Sequence, residues 1–126
     1  MSKPKPPALV VDDYASMRGV VVEVLKRAGF TEIHQAVNGQ MALNRLSEYK
    51  KIGLIISDWY MPEMDGLTLL QTVKANPKTA KIPVLMITAE GQRDNVLAAM
   101  QSGAAGYIVK PFTPTALQER LEVMFP

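Results

Sequence analysis

The chain has no cysteine, a single histidine and a single tryptophan, and aromatic residues make up only 6% of it. The missing thiols exclude disulfides and thiolate-based metal or redox centres. His34 has no second histidine to share a metal, so it is expected as a strand or surface residue far from any acidic site. Long apolar runs are also missing. The first run, Ala8 to Val11, ends at Asp12, too short for a signal-peptide core, and nothing approaches membrane-spanning length. Nor is there an excess of one charge: 14 basic residues face 12 acidic ones for a net +2, and the basic residues are scattered apart from pairs such as Lys50-Lys51. Nucleic-acid interfaces show a clustered basic face, so none is expected here. These absences describe a cytoplasmic chain that binds neither nucleic acid nor membrane.

What is present is the balance of an ordinary globular domain: 126 residues, 48% hydrophobic and 21% charged. Residues 1–7, with three prolines and two lysines, read as a flexible tail, leaving 8–126 as one domain. Short apolar runs then alternate with helix-period segments. The runs cover residues 8–11, 33–37, 52–56, 84–87 and 107–109, and at least three are continuously apolar, as strands buried on both faces are. Met17, Val20, Val21, Val24, Leu25 and Ala28 form one helical stripe, which Gly29 terminates. Further helices are marked by Met41 to Leu46, by Leu67, Leu70 and Val73 before Asn76-Pro77, and by Val96, Leu97 and Met100 before Gly103. The last opens with Thr113 as N-cap and Pro114 at the first helical position. Five βα units in succession predict an α/β fold with a doubly wound, five-stranded parallel sheet, helices on both faces. Ligands of such sheets bind beyond the carboxyl ends of the strands.

The polar residues converge on that end. Asp12-Asp13 follows the first strand, Asp58 closes the third, Thr88 the fourth and Lys110 the fifth. Asp12-Asp13 alone would be an ordinary helix cap, and Thr88 alone an ordinary strand-end hydroxyl; together they make a site. Three carboxylates resist joint ionisation unless a cation joins them, and an all-oxygen set suits Mg2+. Three carboxylates, one Mg2+ and one lysine sum to zero charge, which leaves room for a phosphoryl group. Asp65-Gly66 is better read as a turn and helix start than as a ligand.

The segments Val10 to Asp13 (VVDD), Ser57 to Gly66 (SDWYMPEMDG), Met86 to Glu90 (MITAE) and Gly106 to Phe112 (GYIVKPF) resemble the response-regulator receiver family, in order and over nearly the whole chain. Within it the likeness is to single-domain chemotaxis regulators of the CheY type. The resemblance implies a (βα)5 flavodoxin-like, CheY-like fold with strand order 2-1-3-4-5. It implies that Asp58 accepts a phosphoryl group from a phosphohistidine of a sensor histidine kinase or histidine phosphotransfer protein. Asp13, Asp58 and the backbone carbonyl of Tyr60 would bind Mg2+ directly, and Asp12 through water. Thr88 and Lys110 would contact phosphoryl oxygens, and the Lys110–Pro111 bond would be cis. Tyr107 would change rotamer as Thr88 moves, altering the surface of the fourth helix, fifth strand and fifth helix for a downstream target. The implied protein is a monomeric phosphoacceptor signalling domain, acting only on its own phosphorylation and dephosphorylation. The sequence departs from the chemotaxis regulators at Tyr60, where an asparagine is found, and in a less basic last helix.

Two rivals stand beside it. An aspartate-nucleophile phosphatase needs an acid two residues after the nucleophile, where this chain has Tyr60. A metal-independent pseudo-receiver, a protein-binding module only, is the alternative; such proteins lose an acid, the threonine or the lysine, and this chain keeps all five. No phosphate-cradling glycine-rich loop ending in Lys-Ser/Thr supports nucleotide binding.

Overall fold

A computed structural model describes residues 4–89 and 93–126 of the chain. Glu90, the last residue of the third motif segment, and residues 1–3 of the expected tail lie outside the described residues. The elements are β1 (Ala8–Val11), α1 (Ala15–Arg27), β2 (Ile33–Ala36), α2 (Gly39–Glu48), β3 (Leu54–Asp58), α3 (Gly66–Ala75), β4 (Val84–Ala89), α4 (Arg93–Gln101), β5 (Gly106–Lys110) and α5 (Pro114–Met124). All strand pairs are parallel and the order is β2-β1-β3-β4-β5, as the resemblance implied.

Every residue of β1 and β3 is buried, which explains their unbroken apolar runs. Side chains alternate between the two faces all the same. Leu9, Val11, Ile55 and Met86 pack on one face with Leu69, Leu70 and Val73 of α3. Ala8, Val10, Leu54, Ile56, Leu85 and Ile87 pack on the other with Val21, Val24 and Leu25 of α1 and Leu117 and Leu121 of α5. Two small cores therefore clamp one sheet, and the rows of strand ends are held in register.

Helix ends follow local chemistry. Asn38, Asp65 and Thr113 each accept a hydrogen bond from a backbone N–H three residues on, at 2.8, 2.8 and 3.1 Å, contributions of about 1 kcal/mol each. Past α1, Gly29 takes φ +99°, and the Phe30 and Gly29 N–H groups bond the Leu25 and Lys26 carbonyls at 3.0 and 3.1 Å. That is the reversal a glycine permits without Cβ strain.

Two sequence expectations shift. The third strand begins at Leu54 rather than Ile52, because Ile52 N–H turns back to the Tyr49 carbonyl and Gly53 N–H bonds the Pro7 carbonyl. Val20 lies on the expected apolar stripe of α1, yet 43% of it is exposed at the margin of the buried face. Residues 4–7 run along the body of the domain, with Lys5 Nζ donating to the Phe125 carbonyl at 2.7 Å.

Gly66 opens α3 so close to β3 that an added Cβ would strike the Asp58 carbonyl oxygen and lie 2.8 Å from Met86 Cε. Gly66→Ala is expected to destabilise the protein by about 1–3 kcal/mol in urea unfolding. Gly19, in the middle of α1 with nothing within 4 Å of its added Cβ, should respond oppositely. Gly19→Ala is expected to stabilise by roughly 0.5–1 kcal/mol, and equal effects at the two positions would contradict the packing described.

Candidate functional site

The ends of two neighbouring strands, β1 and β3, deliver the acids. Asp12 leaves β1 with its N–H on the Ala36 carbonyl at 3.1 Å, so the end of β2 steers it. Its Oδ1 accepts from Tyr14 N–H at 2.9 Å, and its carbonyl accepts from Arg18 Nη1 at 2.8 Å. Asp58 is the last residue of β3, opposite Ile87 of β4. Oxygens of Asp12, Asp13 and Asp58 all lie within 4.8 Å of one another. Asp12 and Asp58 are buried, at 2% and 5% exposure.

One cation answers these three acids among the described residues. Lys110, ending β5, reaches across β4 to place Nζ 3.0 Å from Asp58 Oδ1. The same oxygen accepts from the Trp59 N–H at 2.9 Å. Formal charge at the cluster is therefore negative, and its electrostatics show it. Burial pushes the Asp12 carboxyl above its ordinary value near 3.8, and the neighbouring Asp58 and Asp13 charges push the same way, against the Tyr14 N–H and Lys110.

Among the described residues, three buried side-chain polar atoms have no hydrogen-bond partner: Asp12 Oδ2, Asp13 Oδ1 and Thr88 Oγ1. Buried polar groups are normally paired, because leaving one unpaired costs its desolvation. Two of the orphans are carboxylate oxygens of the acidic cluster, so the donor set fits a hard divalent cation that prefers oxygen. The third is a hydroxyl, 1% exposed, at the end of β4. Thr88 shares its sheet face with Met86, whose register partner on β5 is Tyr107. Tyr107 is 36% exposed, on the edge strand of the sheet.

Of the site residues read from the sequence, Asp12, Asp13, Asp58 and Lys110 come together and Tyr60 lines the same crevice, while Thr88, at the end of β4, lies on the same sheet face as Tyr107, and the Lys110–Pro111 bond is cis. Asp65 lines the same crevice, but its carboxylate caps α3 through the Thr68 N–H. The Trp59 indole is packed in the core on the α3 side and does not line the crevice; only its backbone touches Asp58. His34 stands apart, stacked 4.0 Å from the Tyr49 ring and 2.8 Å from Glu32. The sequence missed the Tyr60 side chain. Its hydroxyl accepts from Asn95 Nδ2 of α4 at 3.0 Å, tying the crevice rim to that helix. No local signal pairs residues so far apart in the chain. Arg18, which fixes the Asp12 carbonyl, was missed for the same reason.

The model of the response regulator receiver domain matches residues 8–122. The chain is 42% identical over 116 residues to chemotaxis protein CheY1 of Helicobacter pylori strain J99, covering 92% of this chain and 94% of that protein. It is 41% identical over 117 residues to chemotaxis protein CheY of Pseudomonas aeruginosa, covering 93% and 94%. The solved structure of the chemotaxis response regulator CheY4 of Vibrio cholerae superposes with a TM-score of 0.84 at 33% identity, covering 93% of this chain and 96% of that one.

The raised Asp12 pKa has a definite sign. The folded protein holds this proton more tightly than the unfolded chain, so the stability it contributes is complete below about pH 3.8 and is lost as pH rises through the raised value. Metal-free Asp12→Asn protein is expected to show a flatter stability curve from acid to neutral pH, and to exceed the parent at neutral pH, in urea titrations with chelator. A difference in stability between parent and variant that stays constant over that window would contradict the assignment.

Proposed function

The chain belongs to the response regulator receiver domain family of two-component systems, with a CheY-like fold, and from that premise we propose that Asp58 accepts a phosphoryl group and so switches the surface formed by α4, β5 and α5. The observation that carries this is the pairing of Lys110 Nζ with Asp58 Oδ1 at 3.0 Å, and it is supported by a buried Thr88 hydroxyl at the end of β4 that has no partner among the described residues.

The transfer balances as follows. A carboxylate oxygen of Asp58 attacks the phosphorus of a phosphohistidine on a sensor histidine kinase or histidine phosphotransfer protein. The P–N bond breaks, and the imidazole leaves with the electron pair and takes up a proton. Oδ1 is held by two N–H donors, whereas Oδ2 accepts no hydrogen bond among the described residues, which makes Oδ2 the attacking atom. Asp12, Asp13 and Asp58, with the Tyr60 backbone carbonyl, would hold Mg2+. When bound, Mg2+ supplies positive charge against the phosphoryl oxygens and the clustered carboxylates. Lys110 neutralises one phosphoryl oxygen, and the Thr88 O–H donates to another, gaining the partner it lacks at rest.

That gain drives the switch. Thr88 and Tyr107 share a sheet face beside α4, so drawing Thr88 toward the phosphoryl group frees space on the face that Tyr107 occupies. The protein would act in the cytoplasm as a phosphoacceptor, with no turnover of another substrate, and its target would read the α4–β5–α5 surface. Among the described residues no helix is long and apolar enough to cross a membrane.

Acetyl phosphate with Mg2+ is expected to add one phosphoryl mass to the intact protein, and Asp58→Asn or chelator to prevent it. Lys110→Ala should still bind Mg2+ but lose most of the chemical-shift response at Tyr107. Unchanged labelling of Asp58→Asn would overturn the phosphoacceptor assignment, and a protein that never labels is the pseudo-receiver alternative.

A further inference from the structure

The net charge of +2 conceals a separation that only the fold produces. The cluster of Asp12, Asp13 and Asp58 lies at the carboxyl end of the sheet. At its amino end, the loops before β3 and β4 meet, because those strands are neighbours and the Ile55 N–H bonds the Pro83 carbonyl at 3.0 Å. The first loop carries Lys50 and Lys51, the second Lys78 and Lys81, and all four are exposed. None forms an ion pair among the described residues. No acidic residue occurs in residues 49–57 or 66–89, and Glu48, just before them, faces Arg45 at 3.8 Å.

Between α2 and α3 these loops border a groove. Leu43, Leu46, Tyr49 and Ile82 give it apolar lining, and Lys50 from the loop after α2 and Lys78 from the loop after α3 also line it. The loop that carries Lys78 is braced. Lys74 Nζ donates to the Ala80 and Ile82 carbonyls at 3.0 and 2.7 Å, and Thr79 Oγ1 to the Val73 carbonyl at 2.7 Å. Asn76 Oδ1 accepts from the Lys78 N–H at 2.9 Å. A connector needs no such bracing, whereas a preorganised docking surface gains from it.

We propose that this groove docks an acidic segment of a partner protein, with an apolar side chain on the floor and carboxylates against Lys50 and Lys78. Charge complementarity selects the partner: uncompensated lysines raise the local concentration of an anionic peptide and set its register. A bilayer would meet the lysines but leave the recessed floor unfilled, and a small anion would leave it bare. The groove lies at the opposite end of the sheet from Asp58, so occupancy leaves both the acidic crevice and the α4–β5–α5 face open. The surface serves as a tether that operates in either phosphorylation state and does not depend on the function proposed above.

The test is an amide NMR titration of the whole chain with a short synthetic peptide of glutamates flanking two leucines. Its lysine-for-glutamate counterpart and phosphatidylglycerol vesicles serve as comparisons. Saturable shifts confined to residues 43–50 and 72–82 are expected, with a Kd on the order of tens of micromolar, and weakened at least ~10-fold in Lys50→Glu/Lys78→Glu. That double variant should still label at Asp58 with acetyl phosphate, so a failure of docking and a failure of phosphorylation are read separately. Absent or scattered shifts, equal binding by the double variant, or binding of vesicles in preference to the peptide would each overturn the proposal.

Discussion

Three carboxylates held within 4.8 Å of one another, with one ammonium group against them, is the constraint around which this domain is arranged. Left to themselves the acids would separate or take up protons. They stay together because each is the end, or just past the end, of a strand whose other residues are locked in a core. Lys110 can answer Asp58 only because β5 is two strands away from β3 and ends level with β4, Ala89 pairing with Lys110. A single slip of register would move every side chain of a strand to the wrong face and empty the crevice.

The scaffold resists such slips through parts that do no chemistry. The two cores fix the sheet from both sides, and Gly66 brings the start of α3 against Asp58 where any larger residue would push it away. Gly66 N–H bonds the Trp59 carbonyl at 2.7 Å, so the loop after Asp58 is tied at both ends. Partnerless oxygens remain at the centre of this well-satisfied structure. An acidic crevice stabilised for itself would have paired them; under the function proposed above, they stay open for a cation and a phosphoryl group.

Charge is segregated along the same axis as chemistry. Parallel strands send their carboxyl ends to one pole, and the helices return to the other. Lysines in the returning loops, scattered in sequence, therefore gather far from the acids of the crevice. The placement of Lys26, Arg27 and Lys74 in last helical turns also complements the helix dipoles. That need does not extend to Lys50, Lys51, Lys78 and Lys81, which lie in the loops.

Periodicity and punctuation were enough to find every element, because buried strands leave unbroken apolar runs and amphipathic helices leave stripes. Asn76-Pro77, Gly29 and Thr113-Pro114 end or begin helices through backbone chemistry that acts locally. The candidate site residues were legible for a related reason: a parallel sheet sends every strand end to one pole, so the order of elements alone puts Asp12, Asp13, Asp58, Thr88 and Lys110 at the same end of the sheet. Tertiary structure decided the rest. The start of β3 depended on Pro7, the bond from Asn95 to Tyr60 on α4, the hold of Arg18 on the Asp12 carbonyl on α1, and the basic groove on two loops nearly thirty residues apart. Local sequence encodes backbone preference and burial period; contacts between distant side chains arise only once packing sets their distances.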